Sequence, residues 1–330
     1  MKALITAEFP DDGLAQLRSG GYDVVLDGWG VDHQPLERDA LREAVEDVDV
    51  LICELEQVDE SVLAAARRLQ VVASCRGDPV NVDLDAATHH GVLVLHTPGR
   101  NAASVADFTI GLLLALVRNI VRGESHLREF GWNVDGELPY LHFRGPELEG
   151  RTLGIVGFGA VGRLVAARAA RGFGMRIAVF DPYATAHGTE VAQMGLDELL
   201  EQADVVSLHA PATEQTVGMI GARELALLGP HGYLINTARA ALVDEGALVE
   251  ALRDGSIAGA ALDVFWKEPV PPGHPLFELD TVVLTPHLAG AATDVKVHHA
   301  RMVLKDLARI RDGERPHRLA NPDAWKGNGR

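Results

Sequence analysis

Cysteine is nearly missing from this chain of 330 residues, which holds only Cys53 and Cys75. Two thiols make no disulfide framework and cannot complete a four-ligand zinc site alone. Both read as buried, reduced thiols, because free cysteine packs as a small hydrophobe. Basic residues are also scarce. Lys and Arg number 30 against 47 Asp and Glu, a formal net charge of −17. Such a chain repels nucleic acid and anionic lipid, although a local arginine or a helix N-terminus can still hold a small anion. Long apolar runs are missing too. Ile110–Val117, with Gly111 admitted, is the longest, well short of the roughly 20 residues a membrane span needs. Met1-Lys2-Ala3-Leu4-Ile5-Thr6 runs straight into Glu8 and Asp11, which is not the plan of a secretory signal. The expectation is a protein of the cytoplasm with neither a nucleic-acid nor a membrane partner. The adjacent pairs His89-His90 and His298-His299 lack further ligands at suitable spacing, and neighbours on a helix point apart, so no metal is expected.

What is present is ordinary globular material, 47% hydrophobic and 23% charged. The length predicts about two domains. Short β-rich apolar runs recur at 3–7, 23–26, 48–52, 71–74 and 92–95, with helical patterns at 13–20, 39–45, 61–69 and 83–90 between them. Alternation of this kind predicts an α/β fold with parallel sheets covered on both faces. Asn101–Ile120 is apolar on nearly every face and reads as a long buried helix, with Asn101 and Ser104 as possible N-caps. Residues 121–150 carry Gly123, Gly131, Gly136, Pro139, Gly145 and Pro146 and read as an irregular excursion. A second βα series follows, with strands predicted at 152–156, 176–180, 205–208, 233–236, 258–264 and 282–284. A helix over 291–311 precedes a Gly/Pro/Asn-rich tail that is expected to be mobile.

Two groups of residues carry chemistry. The first is Gly157-Phe158-Gly159-Ala160-Val161-Gly162. Glycine makes up 34 of the 330 residues, so chance alone gives about 0.3 matches to GxGxxG. Context makes the match specific. The motif follows a predicted strand and opens a predicted helix, and Asp181 ends the next strand 24 positions after Gly157. Such glycines let the backbone approach a pyrophosphate at a helix N-terminus, while the acidic residue accepts from a ribose 2′-OH and repels a 2′-phosphate. The cofactor expected is therefore NAD rather than NADP. The second group is Arg239, Glu268 and His287, each just past the C-terminal end of a predicted strand, where open α/β sheets bind ligands. They supply a cation for a carboxylate, an imidazole for proton transfer and a carboxylate to orient that imidazole.

These segments resemble the D-isomer-specific 2-hydroxyacid dehydrogenases, in the branch of 3-phosphoglycerate dehydrogenase-like enzymes without a C-terminal regulatory module. The likeness rests on Asn101-x-x-Ser104-Val105-Ala106-Asp107, Gly154 to Gly159, Asp181-Pro182-Tyr183, Leu208-His209-Ala210-Pro211 and the segments around Arg239, Glu268 and His287. It implies two Rossmann-like domains. A discontinuous substrate domain (1–101 and 291–330) would carry an inserted NAD-binding domain (102–290). It further implies that Arg239 clamps and polarises a 2-oxo acid, that His287 exchanges the hydroxyl proton, and that Glu268 hydrogen-bonds His287. Asp263 would hold the nicotinamide carboxamide. Thr237 and the Ala238 backbone would lie on the nicotinamide side, and His209, Pro211 and Thr216 on the adenosine side. Asn101 would mark the hinge and touch substrate, with domain closure excluding water, and a homodimer is expected, Trp132 lying at its interface.

The chain departs from the family at Ser74-Cys75-Arg76-Gly77-Asp78-Pro79-Val80-Asn81, where the substrate loop is usually glycine-rich. Backbone N–H groups around Gly77 and Asp78 are still expected to hold the carboxylate. Arg76 stands where the family has glycine. It either answers a second anionic group on the substrate or merely pairs with Asp78 or faces solvent. Asp107 replaces the usual Glu. The activity expected is interconversion of a small anionic D-2-hydroxy acid, phosphoglycerate-like acids included, and its 2-oxo acid. The alternatives are an NAD(H)-sensing binding protein on the same scaffold, or a formate dehydrogenase-like enzyme, against which Glu268 speaks because the formate branch has glutamine there.

Overall fold

The structure is a computed structural model and describes residues 1–184 and 191–326. It divides into two units, Met1–Asn101 with Ala292–Arg330, and Ala102–Ala291.

In the first unit the chain lays down β1 (Lys2–Ile5), β2 (Asp23–Leu26), β3 (Val50–Cys53), β4 (Val71–Ser74) and β5 (Leu93–Leu95). They form one sheet in the order β2-β1-β3-β4-β5, with every pairing parallel. Apart from the edge strand β2, which is largely exposed, the strands read as continuous apolar runs because both faces are covered. Alternate residues divide between two cores. Ala3, Ile5, Val50, Ile52, Val71 and Ala73 pack with Leu14, Leu17, Val303 and Leu307. Leu4, Leu51, Cys53 and Val72 pack with Leu41, Val62, Leu63 and Ala87. The helices Asp11–Ser19 and Val295–Arg311 thus cover one face, and Arg38–Ala44, Glu60–Ala65 and Leu84–His89 the other. Asp59 caps the helix Glu60–Ala65 by accepting from the N–H groups of Ser61 and Val62. Cys53 and Cys75 are free and buried.

The tail corrects the expectation of mobility as far as residue 326. Asn321 is buried, and its side chain accepts from Val94 N (2.8 Å) and donates to the Val92 carbonyl (2.8 Å). An asparagine amide can replace a missing strand neighbour in this way, and that fastens the segment to the edge of β5. The last four residues lie outside the described residues.

The second unit contains β6 (Thr152–Val156), β7 (Arg176–Phe180), β8 (Val191–Gln193), β9 (Val205–Leu208), β10 (Tyr233–Asn236), β11 (Gly259–Leu262) and β12 (Val282–Leu284). Their order is β12-β11-β10-β9-β6-β7-β8, again all parallel. The order reverses between β6 and β9, which opens a crevice at their C-terminal ends. Leu153, Ile155, Ile177, Val179 and Ile235 face the helices Ala102–Val117 and Ala160–Phe173. Val156, Val206, Leu208, Leu234 and Leu262 face Leu196–Gln202, Ala222–Leu228 and Glu245–Arg253.

The stretch 121–150 is more ordered than its glycines suggest. Ala102–Val117 bends by 58° into a second helix, Ile120–Phe130. Gly123 lies inside that helix, where one glycine costs only about 1 kcal/mol, and Gly131 at φ +77° ends it. An ion pair between Glu124 and Arg128, one turn apart, adds support. Among the described residues no single helix is long and apolar enough to cross a membrane.

Candidate active site

The second unit gathers most of the expected residues at the C-terminal edge of its sheet. β6 ends at Val156 and the chain turns through Gly157, whose φ is +95°. A Cβ there would stand 2.6 Å from Ala210 N and 2.7 Å from the His209 carbonyl carbon. Only glycine lets the turn sit this close to the segment leaving β9. Gly162 is equally constrained, since its Cβ would stand 2.2 Å from the Gly157 carbonyl oxygen. Gly159, by contrast, has nothing among the described residues within 4 Å of a Cβ position and faces open space there. The helix Ala160–Phe173 starts here, and the N–H groups of Ala160, Val161 and Gly162 have no acceptor among the described residues. Open space over a glycine turn, with free N–H groups at the positive end of a helix, fits a pyrophosphate.

Asp181 closes this cradle. Its carboxylate accepts from Phe158 N (2.7 Å), Tyr183 N (2.8 Å) and Ala184 N (2.9 Å). Burial acts to raise its pKa, but the three N–H donors and the Arg163 charge outweigh it and hold the carboxyl below its usual value. The residue stays ionised, pins the glycine turn to the end of β7, and keeps lone pairs for a ribose hydroxyl. Across the crevice the His209 imidazole contacts the Ser207 hydroxyl at 2.9 Å, and burial pushes its pKa down to about 4, so the ring is neutral. Thr216 donates to the Pro211 carbonyl at 2.6 Å and shapes the turn after it.

The proton-transfer pair is assembled. His287 Nδ1 lies 2.8 Å from Glu268 Oε2, and Glu268 Oε1 accepts from Phe265 N at 3.0 Å. The His287 hydrogen bond, aided by the Phe265 N–H and the Arg239 charge, outweighs burial and lowers the Glu268 pKa. An ionised carboxylate only accepts, so Nδ1 carries a proton and Nε2 is the ring nitrogen left for proton exchange with substrate. Arg239 is exposed at the end of β10, with Nη1 donating to the Ala238 carbonyl at 2.7 Å. Asn236 shapes that turn, accepting from Ala238 N (3.0 Å) and donating to the Arg239 carbonyl (2.9 Å). Thr237 is buried, its hydroxyl 3.0 Å from that of Thr109. Beside His287 and Glu268 opens a pocket of about 630 Å³ whose walls include Phe265, Pro269, Val270 and Phe277.

Sequence reasoning missed how the His287 segment is held. His287 has φ +56°, a left-handed conformation few residues adopt. Asp263, with 0% exposure, accepts from the Thr285 hydroxyl (2.6 Å), Leu288 N (2.8 Å) and Ala289 N (2.8 Å). Ser104 is not a cap. Its hydroxyl donates to the Ala289 carbonyl at 2.7 Å. Asp107 accepts from Arg168 Nε at 2.6 Å. The partners of Asp263 stand more than twenty residues away, so no local pattern announces them.

The remaining expected residues lie in the first unit. Arg76, Gly77 and Asp78 follow β4, and Asn101 is the last residue before the chain enters the second unit.

The sequence model described as "D-isomer specific 2-hydroxyacid dehydrogenase, NAD binding domain" matches residues 110–289. A glyoxylate reductase of Korarchaeum cryptofilum is 39% identical over 329 residues, covering 98% of this chain and 97% of that one. A D-3-phosphoglycerate dehydrogenase of Methanocaldococcus jannaschii is 35% identical over 327 residues, 97% of this chain and 59% of its own. Among solved structures, an NADPH-dependent glyoxylate/hydroxypyruvate reductase of Sinorhizobium meliloti, crystallised with citrate, superposes with a TM-score of 0.76. It is 30% identical, with 97% of this chain and 98% of that one covered.

Proposed function

This chain belongs to the D-isomer-specific 2-hydroxyacid dehydrogenase family and is an NAD-dependent oxidoreductase, and we propose that it interconverts a small anionic D-2-hydroxy acid and its 2-oxo acid in the cytoplasm. Phosphoglycerate-like acids fall within that range. The observation that carries the reading is the His287–Glu268 pair at 2.8 Å with Arg239 acting on the same carboxylate.

Gly157, Gly159, Ala160, Val161, Gly162 and Asp181 would hold the pyrophosphate and ribose of NAD. His209, Pro211 and Thr216 would lie along its adenosine half, and Thr237, Ala238 and Asp263 along its nicotinamide half. Bound NAD supplies or accepts the hydride. Arg239 holds the substrate carboxylate in a charge-assisted, bidentate bond and draws electron density from the carbonyl. His287 gives a proton from Nε2 to the carbonyl oxygen during reduction and takes it back during oxidation. Glu268 keeps the ring in the required tautomer and stabilises the imidazolium form. Arg76, Gly77, Asp78 and Asn101 complete substrate binding. Asp181 supports the choice of NAD over NADP, because an ionised carboxylate repels a 2′-phosphate.

A homodimer is part of the proposal. Exposed apolar side chains concentrate in one segment, with Ile120, Phe130, Trp132, Leu138 and Tyr140 each more than half exposed. A cluster of that kind is matched by a partner surface.

The test is loss of NADH absorbance with 2-oxo acids in wild type and Arg239→Ala. Removing the clamp is expected to lower kcat/KM by about 10²–10³-fold, the scale of losing a transition-state electrostatic contact, while NADH affinity changes by less than about threefold. Equal turnover in the variant would refute the assignment.

A further inference from the structure

Residues 75–78 leave the C-terminal end of β4, the edge at which open parallel sheets bind ligands. Their carbonyl groups are drawn to one side. The Arg76 carbonyl accepts from Thr97 N (2.7 Å) and from the Thr97 hydroxyl (3.1 Å), and the Gly77 carbonyl contacts His96 Nδ1 at 2.9 Å. The N–H groups of Arg76, Gly77 and Asp78 are left with no acceptor among the described residues. Successive free N–H groups form a concavity that binds one anionic group.

The Arg76 side chain adds to this. It is half-buried, and among the described residues it makes neither an ion pair nor a hydrogen bond. Asp78, the partner the sequence offers, is exposed and likewise makes no ion pair among the described residues. Of the two carboxylates that act on Cys53 together with Arg76, Glu54 is taken by Arg100 at 2.6 Å, and Glu56 makes no ion pair with Arg76 among the described residues. A guanidinium withdrawn from water without an acceptor is unfavourable until an anion arrives. Its planar fork matches a carboxylate or a phosphate in two parallel bonds.

Charge balance sets what the anion is. A 2-oxo acid with an uncharged tail has one negative charge, and the three free N–H groups of this turn can hold it. The unpaired Arg76 guanidinium on the same turn answers a second. We infer that the preferred substrates carry another anionic group on the tail, a carboxylate or a phosphate, and that Arg76 is the residue that selects for it. This rests on the oxidoreductase reading above and narrows its substrate class.

Matched substrates test it. Initial rates of NADH loss are measured with 2-oxoglutarate against 2-oxopentanoate, and with phosphohydroxypyruvate against hydroxypyruvate, in wild type, Arg76→Gln and Arg76→Lys. The wild type is expected to favour the doubly charged member of at least one pair by tenfold or more in kcat/KM. Which pair responds distinguishes carboxylate from phosphate. In Arg76→Gln that ratio falls at least tenfold, through a raised KM for the charged member, and Arg76→Lys recovers part of it. NADH affinity, read by fluorescence, reports that each variant is folded. Equal turnover of charged and uncharged members overturns the inference, as does a preference that survives Arg76→Gln, and both leave the dehydrogenase reading in place. Silence with every 2-oxo acid while NADH still binds overturns that reading, and the inference with it.

Discussion

Replacing Asp263 with asparagine changes almost no volume and removes one of two carboxylate oxygens. The side chain is completely buried and receives three donors, the Thr285 hydroxyl and Leu288 N on Oδ1 and Ala289 N on Oδ2. The best asparagine rotamer keeps its oxygen towards the first two. Its NH₂ then faces the Ala289 N–H, donor against donor. One hydrogen bond to a charged group is lost, about 1.5–3 kcal/mol, and a buried N–H is stranded, about 1–3 kcal/mol. Allowing for relaxation, the expected loss is about 3 kcal/mol. For a unit the size of Ala102–Ala291 each kcal/mol shifts Tm by about 2–4 °C, so the fall is about 6–12 °C. The same three bonds hold His287 in its left-handed conformation, so kcat should drop by about 10–100-fold, part of what general acid–base catalysis contributes. The assay is thermal unfolding without cofactor, because Asp263 is also an expected carboxamide acceptor, followed by NADH turnover. A Tm within about 2 °C of wild type together with kcat within about twofold would refute the reasoning.

Two further outcomes are expected. Glu268 has a carboxyl pKa lowered chiefly by the His287 hydrogen bond. Its stabilising contribution is therefore complete above the ordinary glutamate pKa and disappears as pH falls through the depressed value. Thermal unfolding between about pH 7 and about pH 3 should show wild type ahead of Glu268→Gln until below the usual carboxylate range, and a gap that closes at or above that range contradicts the pairing. Gly157→Ala places a Cβ 2.6 Å from backbone and forces alanine to φ +95°. Left-handed strain of about 1–2 kcal/mol plus overpacking of about 1–3 kcal/mol should weaken NADH binding at least tenfold, and an unchanged Kd would show that the turn does not approach the cofactor.

Most strands were legible because they are buried on both faces, whereas the short, largely exposed β8 was not predicted. Runs such as Val50-Leu51-Ile52-Cys53 have no polar position to misplace. The cofactor cradle was legible because its requirements are local, a glycine turn opening a helix with an acidic residue ending the next strand. The helix Ile120–Phe130 was not, because Gly123 and Gly131 look alike in sequence although one is tolerated mid-helix and the other is a stop. The anchoring of the tail was hidden for a different reason. Asn321 finds its partners 227 and 229 positions earlier, and nothing near it in the chain hints at an unpaired strand edge. Asp263 shows the same limit within the site. Its chemistry pointed to a ligand contact, while three of its hydrogen bonds belong to the segment carrying His287.

The order of segments along the chain has a consequence for how the protein is made. Residues 102–291 are contiguous and can fold as soon as they leave the ribosome. The first unit cannot finish, because Val303 and Leu307 cover one face of its sheet and Asn321 closes the edge of β5. At about 5–20 residues per second, β1 to β5 wait roughly 10–45 s for the helix and tail that complete them. Throughout that interval one face of the sheet is covered by Asp11–Ser19 alone and the apolar part that Val303 and Leu307 will cover stands open, the state in which chains associate wrongly. Expression yield should therefore respond more to chaperone supply and to translation speed across the middle of the message than to the stability of the finished protein.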